Sequence, residues 1–165
     1  MPLASSIPVQ IGADVTADLV RYCQARRLDR FTLVADRNTY PVLGEAVERA
    51  LKRHGFQVQA VVLAGEEIIP DERSIVQVLV RAGRESYTYL AVGSGTITDI
   101  ARFASHRTKA DFISIPTAPS VDGYTSPGSS LIIDRLKQTV VAHPPIAVFA
   151  DLPTLCAAPR PCSST

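Results

Sequence analysis

The sequence predicts an α/β domain built on a parallel sheet with helices on both faces. Three observations carry that expectation. Short apolar runs alternate along the chain with amphipathic stretches of about ten to fifteen residues, the rhythm of strand–helix–strand units. The apolar runs are continuous, as burial on both faces of a sheet requires. The chain has 165 residues, 46% of them hydrophobic, enough for one well-buried domain.

The elements follow in order. Residues 7–11 alternate weakly and suit an edge strand, with Gly12 ending it. Residues 13–27 form a helix with Val15, Leu19, Val20 and Cys23 at helical spacing. Residues 30–35 are a buried strand that closes on Asp36. Residues 40–54 are the strongest helix, its stripe formed by Val42, Leu43, Ala46, Val47, Ala50 and Leu51. Asn38 or Thr39 can cap it, Pro41 suits its first turn and Gly55 ends it. A strand over 56–63 and a loop over 64–70 come next. A helix over 71–82 follows, with Asp71 as N-cap and Ile75, Val76, Leu79 and Val80 facing inward. Residues 87–92 are a strand, 96–106 a helix and 112–115 a strand. Connections in such a sheet are right-handed crossovers.

After Pro116 the pattern changes. Residues 117–128 are rich in Pro, Ser, Thr and Gly and hold one carboxylate, Asp122. Residues 130–134 and 139–142 read as a β-hairpin around the polar turn Arg135-Leu136-Lys137-Gln138. Residues 146–150 are a last short strand, and a helix can begin at Asp151. The predicted organisation is one domain over 1–159 and a frayed tail over 160–165.

Composition excludes several classes. The net charge is +1 and the basic residues are scattered, so no nucleic-acid partner is expected. No apolar run approaches membrane-span length. The first residues lack a basic segment followed by an apolar core, so no signal peptide is expected. Cys23, Cys156 and Cys162 fit no zinc spacing and read as reduced thiols in a cytoplasmic protein, Cys23 as core. The three histidines form no metal cluster: His54 and His106 sit near helix ends and His143 precedes a proline.

The stretch Val92-Gly93-Ser94-Gly95-Thr96-Ile97-Thr98-Asp99 turns from a strand into a helix through two glycines. Bare amides at a helix N-terminus suit an anion such as a dinucleotide pyrophosphate. An ordinary tight turn is the competing reading, and Thr98 stands where the third glycine of the dinucleotide fingerprint belongs. Ligands of open parallel sheets bind beyond the carboxyl ends of the strands. Asp36, the 93–99 turn and the 116–128 loop all fall there. Asp36 can accept hydrogen bonds from a ribose or cap a helix. Asp122 can bind a substrate hydroxyl or form an Asp-Gly turn.

Two strings, Gly93-Ser94-Gly95-Thr96-Ile97-Thr98-Asp99-Ile100-Ala101 and Ile115-Pro116-Thr117-Ala118-Pro119-Ser120-Val121-Asp122-Gly123-Tyr124-Thr125-Ser126, resemble the sn-glycerol-1-phosphate dehydrogenases. These enzymes belong with the dehydroquinate synthases, glycerol dehydrogenases and iron-containing alcohol dehydrogenases. The resemblance spans residues 7–159, with Ser94 where the family often has glycine. It implies a Rossmann-like cofactor domain in which Gly93, Ser94, Gly95, Thr96, Ile97, Thr98 and Asp99 hold the pyrophosphate and nicotinamide end of NAD(P). Thr117, Ala118, Pro119 and Ser120 then line the cofactor, Ser126 contacts it and Asp36 takes the ribose. Asp122 touches the substrate, glycerol 1-phosphate or dihydroxyacetone phosphate.

In the family an Asp and two His bind a divalent metal, usually zinc, in a C-terminal helical domain beyond the point matching Pro159. The chain therefore reads as the cofactor half, with no catalytic or metal residue of its own, inactive alone and associating as a homo-oligomer. A dehydroquinate-synthase-like lyase and a non-catalytic nucleotide-binding or interaction module are the alternatives. Asp36 would repel a cofactor 2′-phosphate and Arg37 would attract one, leaving NADH against NADPH open.

Overall fold

The structure, a computed structural model, describes residues 6–82, 87–119 and 125–159. The expected tail over 160–165, and with it Cys162, lies outside the described residues, as do Ser120 and Asp122. Six parallel strands form one sheet in the order β1-β8-β5-β4-β2-β3. They are β1 (Val9–Gly12), β2 (Arg30–Asp36), β3 (Gln57–Leu63), β4 (Thr88–Gly93), β5 (Phe112–Pro116) and β8 (Ala147–Asp151). Strands β6 (Gly128–Ile133) and β7 (Leu136–Val141) pair with each other as a separate antiparallel hairpin.

Helices cover both faces. On one, α1 (Val15–Ala25) and α2 (Glu45–Arg53) bury Leu19, Cys23, Val47 and Leu51 against Phe31, Leu33, Leu90 and Phe149. On the other, α3 (Glu72–Arg81) and α4 (Gly95–Arg107) bury Val78, Ile97, Ile100 and Ala104 against Val34, Tyr89 and Ala91. A short α5 (Leu152–Ala157) follows β8. Each buried aliphatic side chain contributes about 1.5–3 kcal/mol through removal from water. Burial pushes the Cys23 thiol up to about 12, as befits a core residue rather than a reactive one. No helix among the described residues is long and apolar enough to cross a membrane.

Aspartates start three of the helices. Asp14 accepts the Ala17 amide at 3.3 Å, Asp71 the Ser74 amide at 2.9 Å and Asp151 the Thr154 amide at 3.1 Å.

The structure corrects four expectations. The helix expected over 40–54 opens with a wide turn, Tyr40–Gly44, in which the Glu45 amide reaches back to the Tyr40 carbonyl. That five-residue spacing rotates the first turn relative to an α-helix. Val42 consequently faces solvent at 59% exposure, and Ala46 is exposed too, while Leu43, Val47 and Leu51 stay inside. In α3 the inward residues are Ser74, Ile75 and Val78, whereas Val76 and Val80 point outward. Three apolar residues at 78–80 left the phase of that helix ambiguous, and the sheet chose Val78. The hairpin turn is Asp134 and Arg135 alone, both at positive φ (50° and 66°). Such a two-residue turn matches strand twist, so Leu136, Lys137 and Gln138 join β7. Finally, β3 is an edge strand with Gln57 and Gln59 exposed rather than a run buried on both faces.

Candidate functional site

The sheet order sets the site. From β2 the chain crosses through α2 to β3, at one edge of the sheet. From β4 it crosses through α4, on the opposite face, to β5 in the other direction. Between the carboxyl ends of β2 and β4 the connections diverge and open a crevice, the topological switch point where such sheets bind ligands.

Three loops meet there and are tied together. The Thr39 hydroxyl donates to the Val92 carbonyl at 3.0 Å, joining the end of β2 to the end of β4. The Thr117 amide donates to the Gly93 carbonyl at 3.0 Å, joining the end of β5 to the same turn. Asp36, the 93–99 turn and Thr117 are thus neighbours, as their positions at strand ends implied.

The N-terminus of α4 lacks the aspartate cap that starts α1, α3 and α5. Ser94 is its N-cap but makes no side-chain capping bond, and no acidic residue lies in the first turn. The first intrahelical bond runs from the Thr98 amide to the Ser94 carbonyl at 3.0 Å. The amides of Gly95, Thr96 and Ile97 precede it and point to the crevice end of the helix without an intrahelical acceptor. With the helix dipole they make a site for negative charge.

Gly93 contributes by what it lacks. A β-carbon on it would lie 2.7 Å from Cβ and Cγ1 of Ile97. Neither Gly93 nor Gly95 has positive φ. Close packing of strand end on helix start is what requires Gly93.

The predicted side chains divide into several groups. Ile97 and Thr98 are buried at 0% and 1% exposure, so only their backbones can meet a ligand. Ser94, Gly95, Thr96 and Ala118 are half-buried, Thr117 is buried, and Pro119 is exposed and lines a cavity with Val9, Ile11 and Ala150. Asp99 turns elsewhere: its carboxylate accepts from Arg102 at 2.9 Å, and the Ser130 amide also bonds it. Burial raises its carboxyl above the usual range, with Arg102 and the Ser130 amide opposing. The Ser126 hydroxyl accepts the Gly128 amide at 3.1 Å and so shapes the entry to β6.

Asp36 serves as the cap, one of its two expected uses. Its Oδ1 accepts the Asn38 and Thr39 amides, each at 2.8 Å, starting the wide turn. Its Oδ2 has no hydrogen-bond partner among the described residues.

Sequence reasoning missed two contributors. Thr39, with Asn38 one of two candidate caps, bonds the end of β4 through its hydroxyl and caps nothing. Arg102 drew no attention, yet it is the largest fully buried side chain, and it donates to Asp99 and, at 2.8 Å, to the Gly128 carbonyl. An arginine at an inward helical position, three residues after an aspartate, was the available signal. Among the described residues no three His, Cys, Asp or Glu side chains gather as a metal would require.

This geometry defines a doubly wound, Rossmann-like α/β domain with the start of α4 at its switch point. Within that class, residues 10–159 match the family described as iron-containing alcohol dehydrogenase, and the chain belongs to it. Curated relatives include a glycerol-1-phosphate dehydrogenase [NAD(P)+] of Geobacillus stearothermophilus, 41% identical, aligned over 93% of this chain and 40% of its own length. Another of the same name, from Pyrococcus furiosus, is 33% identical over 92% of this chain and 43% of its own. The chain therefore spans about two fifths of the length of these relatives.

Among solved structures, glycerol dehydrogenase from Schizosaccharomyces pombe superposes with a TM-score of 0.82 at 20% identity, covering 93% of this chain and 39% of that one. A 2-deoxy-scyllo-inosose synthase complexed with carbaglucose-6-phosphate, NAD+ and Co2+ gives 0.79 at 20% identity, over 92% and 44%. These two share the fold.

Proposed function

We propose that the chain is the cofactor-binding half of an NAD(P)-dependent oxidoreductase of the glycerol-1-phosphate dehydrogenase type. The observation that carries this reading is the uncapped N-terminus of α4 at the switch point, flanked by Asp36 and Thr117. The backbone of Gly93, Ser94, Gly95, Thr96, Ile97 and Thr98 takes the pyrophosphate, because amides without acceptors bind anions. The unpartnered Oδ2 of Asp36 takes the ribose hydroxyls. Thr117, Ala118 and Pro119 line the cofactor, and Ser126 lies at the far end of the same loop. Ser120 and Asp122, outside the described residues, are assigned to cofactor and substrate from the family strings. Asp99 holds the helix to the hairpin and supports the site indirectly.

The cofactor, when bound, supplies or accepts hydride at a carbon bearing oxygen. In this reading the described residues bind and orient it, and no three His, Cys, Asp or Glu side chains among them gather as a metal centre. The substrate class, a polyol phosphate such as glycerol 1-phosphate or its ketone dihydroxyacetone phosphate, follows from the relatives' names. The lyase alternative shares the fold, as the inosose synthase superposition illustrates. Identity of 41% to a dehydrogenase favours the oxidoreductase.

Titration of NADH fluorescence against the chain tests the reading. Saturable binding, displaced by ADP-ribose and weakened in Asp36→Ala, is expected. Fluorescence unchanged up to millimolar protein and nucleotide would leave a non-catalytic interaction module instead. Reduction of dihydroxyacetone phosphate by the chain alone is not expected.

A further inference from the structure

One hydroxyl at the switch point bonds two strands at once. Thr39 Oγ1 donates to the Val92 carbonyl at 3.0 Å and accepts the Asp36 amide at 3.1 Å. The Thr39 amide in turn donates to Asp36 Oδ1 at 2.8 Å. Asp36 is thus held by Thr39 at both its backbone and its carboxylate, and Thr39 is anchored on the strand that ends in Gly93. A threonine at the start of a helical turn ordinarily bonds the amides of that turn. Here it makes no such bond, and its hydroxyl serves the neighbouring strand. The result fixes the direction of Asp36 Oδ2 relative to the amides that open α4.

We propose that Thr39 is a positioning residue for the dinucleotide, acting through Asp36. The Val92 anchor sets the distance between the ribose-binding carboxylate and the pyrophosphate-binding helix. The proposal rests on the reading above, in which Asp36 meets the adenosine ribose. Removing the hydroxyl leaves the Val92 carbonyl and the Asp36 amide without their partner and detaches from β4 the turn whose amides hold Asp36 Oδ1. Affinity that depends on the ribose hydroxyl is then lost, while affinity from the pyrophosphate stays.

The test compares NADH with its 2′-deoxyadenosine analogue on the wild-type chain, Thr39→Val, Thr39→Ser and Asp36→Asn. Wild type prefers NADH several-fold. Thr39→Val weakens NADH about five- to tenfold, the effect of one hydrogen bond to a charged or fixed group. It leaves the deoxy analogue within about twofold, so the preference collapses, and Asp36→Asn does the same. Thr39→Ser restores the preference. Hydrogen exchange without cofactor provides a second measurement: the Asn38 and Thr39 amides exchange about tenfold faster in Thr39→Val, with β4 core amides unchanged. Equal weakening of both nucleotides, or an unchanged preference, overturns the proposal and marks Thr39 as structural. Wild type binding both nucleotides equally removes Asp36 from the ribose and Thr39's role with it. Wild type binding neither overturns the cofactor reading itself.

Discussion

At Gly93 a single methyl group tests the whole strand-to-helix turn. Its β-carbon would sit 2.7 Å from Ile97, whose side chain is fully buried and cannot retreat. Gly93→Ala is expected to cost about 1–3 kcal/mol, the range for overpacking, and to displace the first turn of α4. Thermal denaturation and NADH titration both register it; an unchanged melting temperature would show that Ile97 yields. Arg102 is the opposite case, a large side chain at 1% exposure. Arg102→Met takes the guanidinium from the Gly128 carbonyl and from Asp99, which keeps only the Ser130 amide. A loss of roughly 3 kcal/mol is expected in urea unfolding, because breaking a buried pair strands its partner. A loss below about 1 kcal/mol would mean that the pair does not anchor the hairpin. The capping by Asp36 was legible from its place at a strand end. Arg102 was not, because its value lies in a carbonyl 26 residues away.

The hairpin is tied to the rest of the domain by hydrogen bonds. It is fastened to the helices by Arg102, by the Glu72 carboxylate accepting the Asp134 amide at 2.7 Å, and by the Ile132 amide donating to the Pro70 carbonyl at 2.8 Å. Just past β7, His143 Nε2 lies 3.1 Å from Ser105 Oγ. Ser105 gives its one proton to the Arg102 carbonyl at 2.9 Å, so His143 donates through Nε2. Burial lowers the His143 pKa, His106 and Arg102 add to the effect, and Asp111 opposes it. A histidine whose folded pKa is depressed favours the fold while neutral. Its contribution is complete above the ordinary range near 6.5 and is lost as pH falls through the lowered folded value. The melting temperature should therefore drop between neutral pH and about pH 5, and His143→Gln should flatten that drop. Equal slopes in the two proteins would assign the loss to other groups. Helix and strand existence were readable from periodicity. The turn at Asp134 and Arg135 was not, because Leu136 to Gln138 look polar enough for a loop, and pairing across strands decides the register.

For the molecule as a whole, coverage of the sheet is uneven. Helices α3 and α4 cover β2, β4 and neighbouring strands, whereas the edge strand β1 stays exposed beside the buried β8. Val9 and Ile11 stand there at 53% and 65% exposure, beside a cavity of about 410 Å³ lined also by Pro116, Val148, Ala150 and Leu155. Exposed apolar area of this kind favours association. Sedimentation should show mass rising with concentration, and Ile11→Lys should return the chain to monomer; a monomer at millimolar wild-type protein would contradict this. The amino-acid sequence by itself determined the alternation of strands and helices, the buried character of the central strands and the family strings at Gly93 and Pro116, because each is written in local spacing. Only the tertiary structure decided strand order, the phase of α3, the wide turn at Tyr40 and the Asp36–Thr39–Val92 clasp. Those depend on contacts between residues far apart in the chain, which local periodicity does not encode.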